Sequence, residues 1–244
     1  MSKIILVIPC FNEEKRIKTE PFIHALSSCS TLHWIFVNDG STDKTLDTLK
    51  ALQHDHQDRI YIHDLGENRG KGEAVRQGLL QAVGLKASVT GFFDADLATP
   101  MSEILRLVEM AKTRKYQVIL GSRVFLLGHN IKRSRRRFLL GRAYAKVTSF
   151  LLKLPVHDTQ CGAKIIVNFK GLEDCLKQSF QSSWLFDVEL INRLIYVGKL
   201  TPNDFFEEPL LEWTDVAGSK IDARFFTSAL WDLLKIFVLF KKNN

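Results

Sequence analysis

Five apolar, β-rich runs alternate with helical patterns through the first half of this chain, and that alternation limits its fold more than any other feature. Lys3 to Pro9, His33 to Asn38, Arg59 to Leu65, Ser88 to Phe93 and Tyr116 to Leu120 read as strands. Continuous apolar runs separated by helices imply βαβ units and a mostly parallel sheet buried on both faces. The expected class is α/β: a Rossmann-like, mostly parallel central sheet flanked by helices. The second half is less regular, with helices expected near Arg135 to Leu154 and Phe186 to Val197. Strands are expected there near Ala163 to Val167 and Phe205 to Trp213. No internal repeat, low-complexity tract or long linker interrupts the pattern. At 244 residues, 45% of them hydrophobic, the chain suffices for one large domain with an appendage and is too apolar to be disordered.

Ligands of open parallel sheets bind beyond the carboxyl ends of the strands, so the residues after each run carry most weight. They are unusually polar: Cys10 to Glu14, Asp39 to Asp43, Asn68 to Gly72, Asp94 to Pro100 and Gly121 to Arg123. Five strand ends are expected to converge on one crevice. Asp94 and Asp96 form its centre, because Mg²⁺ or Mn²⁺ takes hard oxygen ligands, commonly one or two carboxylates plus substrate phosphates. A lone Asp-x-Asp is usually a solvated turn; its place after an apolar strand, among four companion motifs, favours a site. The two glycines of Gly70, Lys71 and Gly72 are too few for a dinucleotide fingerprint, and there is no Gly-rich phosphate loop of the nucleotidase type.

Charge is distributed unevenly. Between Met110 and His157 stand twelve Lys or Arg and no Asp or Glu, which leaves 22 basic against 27 acidic residues elsewhere. A localised basic field meets nucleic acid, an anionic membrane or a phosphorylated ligand. If Arg135 to Leu154 is helical, Leu140, Tyr144, Val147, Leu151 and Leu154 form one stripe, and Arg135, Arg142, Lys146 and Lys153 form another on roughly the opposite side. Such a helix, with Phe138 and Phe150 nearby, is expected at a membrane interface or packed on the core with its charges solvated. A nucleic-acid module built on the Lys132 to Arg137 cluster is disfavoured by a crevice full of acids, so no nucleic-acid partner is expected.

The cysteines Cys10, Cys29, Cys161 and Cys175 show no paired spacing, and no disulfide is expected. Ile4 to Pro9 is too short for the apolar region of a secretion signal, so a cytoplasmic protein is expected. From Phe225 to Phe240 the chain is apolar but broken by Asp232 and Lys235, and shorter than the roughly 20 residues needed to cross a bilayer. This segment is expected to lie in the interface with Trp231 as anchor, to pack as a core helix, or to dock on a membrane partner.

Eight motifs, in order "VIPCFNEE", "FVNDGSTDKT", "ENRGKGEAVRQG", "FFDADLATP", "ILGSR", "DTQCGAK", "WLFDVEL" and "EWTDVAGSK", resemble a family 2 glycosyltransferase of the GT-A fold. They are most like its dolichyl-phosphate or polyprenyl-phosphate β-glucosyltransferase branch. The resemblance spans roughly Ile4 to Lys220 and implies a glycosyltransferase domain over 1–220, with a nucleotide-sugar half near 1–123 and an acceptor half near 124–220. An apolar or amphipathic helix over 221–244 would follow.

The implied reaction is inverting, metal-dependent transfer of a hexose, with glucose from UDP-glucose favoured, to a polyprenyl phosphate at the cytoplasmic face of a membrane. The implied metal is Mg²⁺ or Mn²⁺. A membrane-protein partner or a homo-oligomer is compatible with this. GDP-mannose or UDP-GlcNAc as donor, or a hydroxyl acceptor, are alternatives; a non-catalytic nucleotide-sugar-binding protein is the alternative of another class.

By the resemblance, Pro9, Phe11 and Glu13 border the nucleoside, Asp39 accepts a hydrogen bond from the base, and Asp94 lies near the ribose or diphosphate. Asp96 is the main metal ligand, and Lys71 reaches the donor's phosphates. A carboxylate accepts the ring N–H of uracil and that of guanine alike, so Asp39 does not identify the base. Arg123, with one or more of Arg133, Arg136 and Arg137, is implied for the acceptor phosphate, which suits the planar guanidinium fork. Asp158 and Gln160 are read as an acceptor-side loop. A hydroxyl acceptor would need a base, for which Asp187 and Glu189 are candidates; their structural alternative is pairing with Arg193 or Lys220. Trp213 and Gly218 to Lys220 are expected in a mobile loop whose lysine neutralises phosphate. Two departures stand out: Asn38 precedes Asp39 where two acids are usual, and Phe11 replaces a common Tyr. Ala98, where mannosyl-transferring relatives often carry Gln, favours glucose.

Overall fold

The computed structural model describes residues 2–113, 115–132, 135–182 and 185–216, with only the backbone for 135–140. In chain order the elements are β1 (Ile4–Cys10), α1 (Glu20–Ser28), β2 (Leu32–Asn38), α2 (Thr45–His54), β3 (Ile60–Asp64), α3 (Lys71–Gly84), β4 (Val89–Phe93), α4 (Met101–Thr113) and β5 (Val118–Ser122). The second half adds β6 (Asn130–Lys132), α5 (Arg135–Leu152), β7 (Ala163–Val167), α6 (Leu172–Leu176), α7 (Phe186–Tyr196), β8 (Phe205–Pro209) and β9 (Glu212–Thr214). Seven strands form one sheet in the order β3-β2-β1-β4-β7-β5-β8. All neighbours are parallel except around β7, which runs antiparallel to both β4 and β5.

The apolar runs fill both faces because successive strand side chains point to opposite sides. Ile4, Leu6 and Ile8 of β1, with Trp34 and Phe36 of β2, pack under α1, α2 and α4. Ile5 and Val7, with Ile35 and Val37, pack under α3, α6 and α7. On the first face Phe22 meets Trp34 edge-on at 5.6 Å and stacks on Phe93 at 6.0 Å, and the Trp34 indole donates to the Phe22 carbonyl at 3.2 Å. The mostly parallel, helix-flanked sheet expected from the sequence is therefore present, and β7 and β8 of the second half enter the same sheet as the first.

Three local expectations are corrected. The run from Phe205 to Trp213 is two strands in different sheets: β8 extends the main sheet, and β9 pairs with β6, a three-residue strand the sequence did not signal. Trp213 is thus held in a strand, opposite Ile131, and not in a mobile loop. Strand β7 lies between β4 and β5, so its beginning stands among the five strand ends at that edge of the sheet.

The third correction concerns α5. Ala145, Thr148 and Leu152 are buried, and Tyr144 and Leu151 pack on the core, but Val147 is exposed. It shares the outward side with Arg142, Lys146 and Phe150 instead of opposing the basic stripe. No helix among the described residues is long and apolar enough to cross a membrane. The segment 221–244 lies outside them.

The close pairing of β4 with β7 leaves no room at Gly91, whose added Cβ would collide with the Lys164 carbonyl oxygen. Gly91→Ala should therefore cost about 1–3 kcal/mol through strand displacement, read as a lower urea midpoint at unchanged m-value. A midpoint equal to wild type would show that the two strands yield freely.

Candidate active site

The loops after β1, β2 and β3 lock together. Asn12 takes a left-handed conformation, φ 55°, in which its Oδ1 accepts the Thr42 N–H at 2.8 Å and its own N–H donates to Ser41 Oγ at 3.0 Å. The Glu13 N–H donates to Thr45 Oγ1 at 2.8 Å. Gly40 has φ 64°, and any Cβ there would collide with the Glu67–Asn68 peptide, so the loops after β2 and β3 approach through a glycine. Asp39 is 3% exposed and accepts the Arg69 N–H at 2.7 Å and the Gly70 N–H at 3.0 Å, which fixes the entry to α3. Its expected bond to a base must use the lone pairs left over. Asn38 donates from its amide to Asp64 Oδ1 at 2.9 Å, which explains the missing second acid: an aspartate there would set two carboxylates against each other.

Beyond β4 the crevice becomes acidic. Asp96 Oδ1 accepts the Ala98 N–H at 3.1 Å, and Leu97 between them is left-handed, with φ 52°. Burial pushes the Asp96 carboxyl up, and the neighbouring Asp94 charge adds to it. Burial also raises Glu13; its pairing with Arg16 opposes the rise, and Asp96 and Asp94 reinforce it. Lys71, the first residue of α3, pairs with Asp94 through Nζ. Burial would lower this ammonium, but Asp94 and then Asp187 hold it above its ordinary value. An added Cβ at Gly162 would collide with the Asp94 carboxylate, so that carboxylate lies against bare backbone.

Because β7 is antiparallel, its beginning lies at the same sheet edge as the ends of β4 and β5. This is why "DTQCGAK" reaches the site. Lys164, in the middle of that strand and 1% exposed, pairs with Asp187 and donates to the Cys161 carbonyl at 2.7 Å. It also lies 5.3 Å over the Phe92 ring. Sequence reasoning missed Lys164, although a lysine inside the apolar run "GAKIIV" was the available signal. Glu189 has the structural role foreseen as its alternative: it is 1% exposed, pairs with Arg193 at 2.6 Å and accepts the Gln181 N–H at 2.8 Å. Cys161 is buried, which pushes its thiol up to about 11 and speaks against a nucleophile.

On the far side of β7, Arg123 is bound bidentately by Asp158, Nε to Oδ2 at 2.7 Å and Nη2 to Oδ1 at 2.8 Å, and its guanidinium lies 5.3 Å from the Trp213 ring centre. The sequence placed both residues on the acceptor side without foreseeing that they pair. Glu207 of β8 holds the adjoining turn by accepting the N–H groups of His157 and Asp158. A cavity of about 440 Å³ opens beside this pair. Arg142 and Lys146 supply charge to its wall, His157 lies beside them, and Val124, Phe125 and Val156 supply apolar surface. Ser122 Oγ, Thr159 Oγ1 and Gln160 Nε2 are buried with no protein partner at this edge. Such atoms are costly unless a ligand or water completes them.

The structure thus brings Glu13, Asp94, Asp96, Lys71 and Asp187 to the β4 end and Arg123, Asp158 and Gln160 to the neighbouring edge. Pro9 is the one partly exposed residue of β1, next to its end at buried Cys10, and Phe11, 41% exposed, follows the strand. Arg136 and Arg137 lie on α5 with only their backbone described; Arg133 and Gly218 to Lys220 lie outside the described residues. No cluster of three or more His, Cys, Asp or Glu suited to a metal occurs among the described residues. The two carboxylates Asp94 and Asp96 fit a hard cation that completes its shell with phosphate and water, as Mg²⁺ commonly does.

A model of the family described as Glycosyl transferase family 2 matches residues 5–175. The chain is 30% identical over 243 residues to the dolichyl-phosphate beta-glucosyltransferase of Homo sapiens, covering 90% of this chain and 69% of that protein. It is also 30% identical over 236 residues to the protein of that name in Saccharomyces cerevisiae, covering 88% and 68%. Among solved structures, glucosyl-3-phosphoglycerate synthase from Mycobacterium tuberculosis shares the fold. Its complex with Mn²⁺, UDP and glucosyl-3-phosphoglycerate superposes with a TM-score of 0.67 at 19% identity, over 96% of this chain and 80% of the other. Its complex with Mg²⁺ and UDP gives 0.68 at 18% identity, over 96% and 79%.

Removing one member of the buried Lys164–Asp187 pair strands the other charge. Lys164→Met should cost about 3–5 kcal/mol, whereas Lys164→Met with Asp187→Leu should recover much of that loss. Urea denaturation of both variants checks this, and equal losses in the two would contradict the pairing.

Proposed function

This chain belongs to glycosyl transferase family 2, and from that premise we propose that it transfers glucose from UDP-glucose to a polyprenyl phosphate of the dolichyl type, with inversion at the anomeric carbon. The observation that carries this reading is the cavity beside Arg123 and Asp158. Its mixture of basic and apolar wall suits a phosphate attached to an apolar chain better than a free sugar hydroxyl. The similarity to the human and yeast dolichyl-phosphate beta-glucosyltransferases supports it.

The chemistry follows from the groups present. An acceptor phosphate oxygen attacks the anomeric carbon as the bond from that carbon to the β-phosphate oxygen breaks, and UDP leaves with the bonding pair. An anionic phosphate has no proton to lose, so positioning and charge stabilisation suffice. That agrees with the two carboxylates of α7: Asp187 is engaged by Lys164 and Glu189 by Arg193, which leaves neither poised as a base.

In this reading Pro9, Phe11 and Glu13 border the nucleoside, and Asp39 presents its remaining lone pairs to the base. Lys71 exchanges part of its contact with Asp94 for the donor's diphosphate. Asp96, with Asp94, would hold Mg²⁺ or Mn²⁺, which supplies Lewis-acid stabilisation of the departing diphosphate. Arg123, kept in plane by Asp158, offers its remaining N–H groups to the acceptor phosphate, with Arg133, Arg136 and Arg137 as further cations and Lys220 neutralising charge once both substrates are bound. Ser122, Thr159 and Gln160 complete their hydrogen bonds on the sugar or the acceptor. The division into a donor half, 1–123, and an acceptor half, 124–220, belongs to the same proposal, as does a peripheral position at the cytoplasmic face of a membrane.

The test is transfer of radiolabelled sugar from UDP-glucose, with GDP-mannose and UDP-GlcNAc in parallel, to a polyprenyl phosphate, with Mg²⁺ or Mn²⁺ and with chelator. An acid-labile glycolipid formed from UDP-glucose only with metal is expected, and Asp96→Ala should lose about 100-fold or more in rate. Transfer from another donor would correct the sugar. Transfer to no lipid from any donor would overturn the acceptor assignment.

Gly162→Ala supplies a separate check. It pushes the Asp94 carboxylate from its seat and should lower kcat/KM about 10- to 100-fold, with the thermal midpoint close to wild type. An unaffected rate would mean that the seat of Asp94 is unimportant.

A further inference from the structure

We infer that the loop Phe125–Leu127 and the outward side of α5 together form a docking surface for an anionic lipid bilayer. Leu127 is fully exposed, Leu126 is 46% and Phe125 44% exposed; on α5, Phe150 is 81% and Val147 41% exposed. Scattered apolar residues on a surface need no explanation, but clustered ones do. These are brought together by the cavity, which has Val124 and Phe125 on one wall and Gly141, Arg142, Ala145, Lys146 and Ser149 of α5 on another. The apolar loop and the helix therefore flank one opening.

The helix geometry orders the outward side. At about 100° per residue, Arg142 and Lys146 fall within about 40° of one another, followed by Phe150 and then Val147 across a sector of about 140°; Lys153 stands exposed just past the end of the helix, left-handed with φ 52°. The basic edge is the one facing the cavity, through Arg142 and Lys146. No acidic residue occurs between Met110 and His157 in the sequence, and Asp158, the carboxylate that lines the cavity, is paired with Arg123. Phe150 and Val147 thus stand exposed on the same outward side as Arg142 and Lys146. A protein partner is the weaker occupant, because charged residues and lysine in particular are depleted at the cores of protein interfaces. Basic residues interleaved with apolar tips are instead the composition that partitions into an anionic headgroup layer. The inference rests on the proposed lipid acceptor only for its purpose: a chain anchored in the bilayer would reach the cavity between the two docking elements.

The experiment uses the full chain and vesicles of phosphatidylcholine alone or with about 30% phosphatidylserine, in co-sedimentation over a salt series, without sugar nucleotide. Wild type should bind the anionic vesicles, less so as salt rises. Leu127→Asp with Phe150→Asp should bind about tenfold more weakly or worse at an unchanged thermal midpoint. Lys153→Glu should reduce the preference for phosphatidylserine. Transfer to a detergent-dispersed acceptor should stay near wild type in the Leu127→Asp, Phe150→Asp variant and fall when the acceptor is in vesicles. Equal vesicle binding by variant and wild type would overturn the inference, as would self-association lost in the variant with no vesicle binding by either. Vesicle binding is read without catalysis, so failure of the proposed reaction leaves this result interpretable.

Discussion

Lysine ammonium groups set among carboxylates are the interaction on which the rest of this site depends. Asp94, Asp96, Glu13 and Asp187 gather where β4 ends, and burial drives the carboxyls of Asp96, Glu13 and Asp187 upward. Unrelieved, such a group would take up protons and lose the charge that a cation or a diphosphate-bound metal requires. Lys71 stands between Asp94 and the field of Asp187, and Lys164 binds Asp187 while tying it to the Cys161 carbonyl. Each lysine also does a geometric job: Lys71 fixes Asp94 from the α3 side, and Lys164 anchors the strand whose Gly162 backs the same carboxylate.

That arrangement needs one departure from a parallel sheet. A parallel strand beside β4 would bring its carboxyl end to the crevice and leave its beginning at the opposite edge. By running backwards, β7 delivers the turn Asp158–Gly162 to the crevice edge and sets Arg123 and Asp158 next to the acidic centre. Two cradles of different chemistry then lie on either side of one strand: an acidic one suited to a metal-bound diphosphate, and a basic one with apolar walls. The direction of charge, from cation-seeking to anion-seeking, is set by the topology of a single strand.

Much of this was legible in the sequence because it rests on local chemistry. Apolar runs ending in polar clusters marked β1 to β5 and the edge at which they open, and the pair Asp94 and Asp96 could be picked out by its place after a buried strand. What was hidden depends on partners distant in sequence. The bond from Asn38 to Asp64, the bonds that commit Asp39 to the entry of α3, and the Arg123–Asp158 fork each join elements about 26 to 35 residues apart, and no periodicity reports them. The α5 stripes were misjudged at Val147, because a helical wheel gives relative angles but not which side the rest of the fold covers. Strand β6 was missed because three residues carry too little pattern to be read alone.

On this account Asp96, with Asp94, would hold a divalent cation at the β4 end, and that cation would strengthen the binding of a nucleoside diphosphate there. Calorimetric titration of UDP into the full chain, with Mn²⁺ and then with chelator, tests it most directly. The account predicts binding about tenfold or more tighter with the metal, and loss of that gain in Asp96→Ala. Equal affinity with and without metal in the wild-type chain would contradict it.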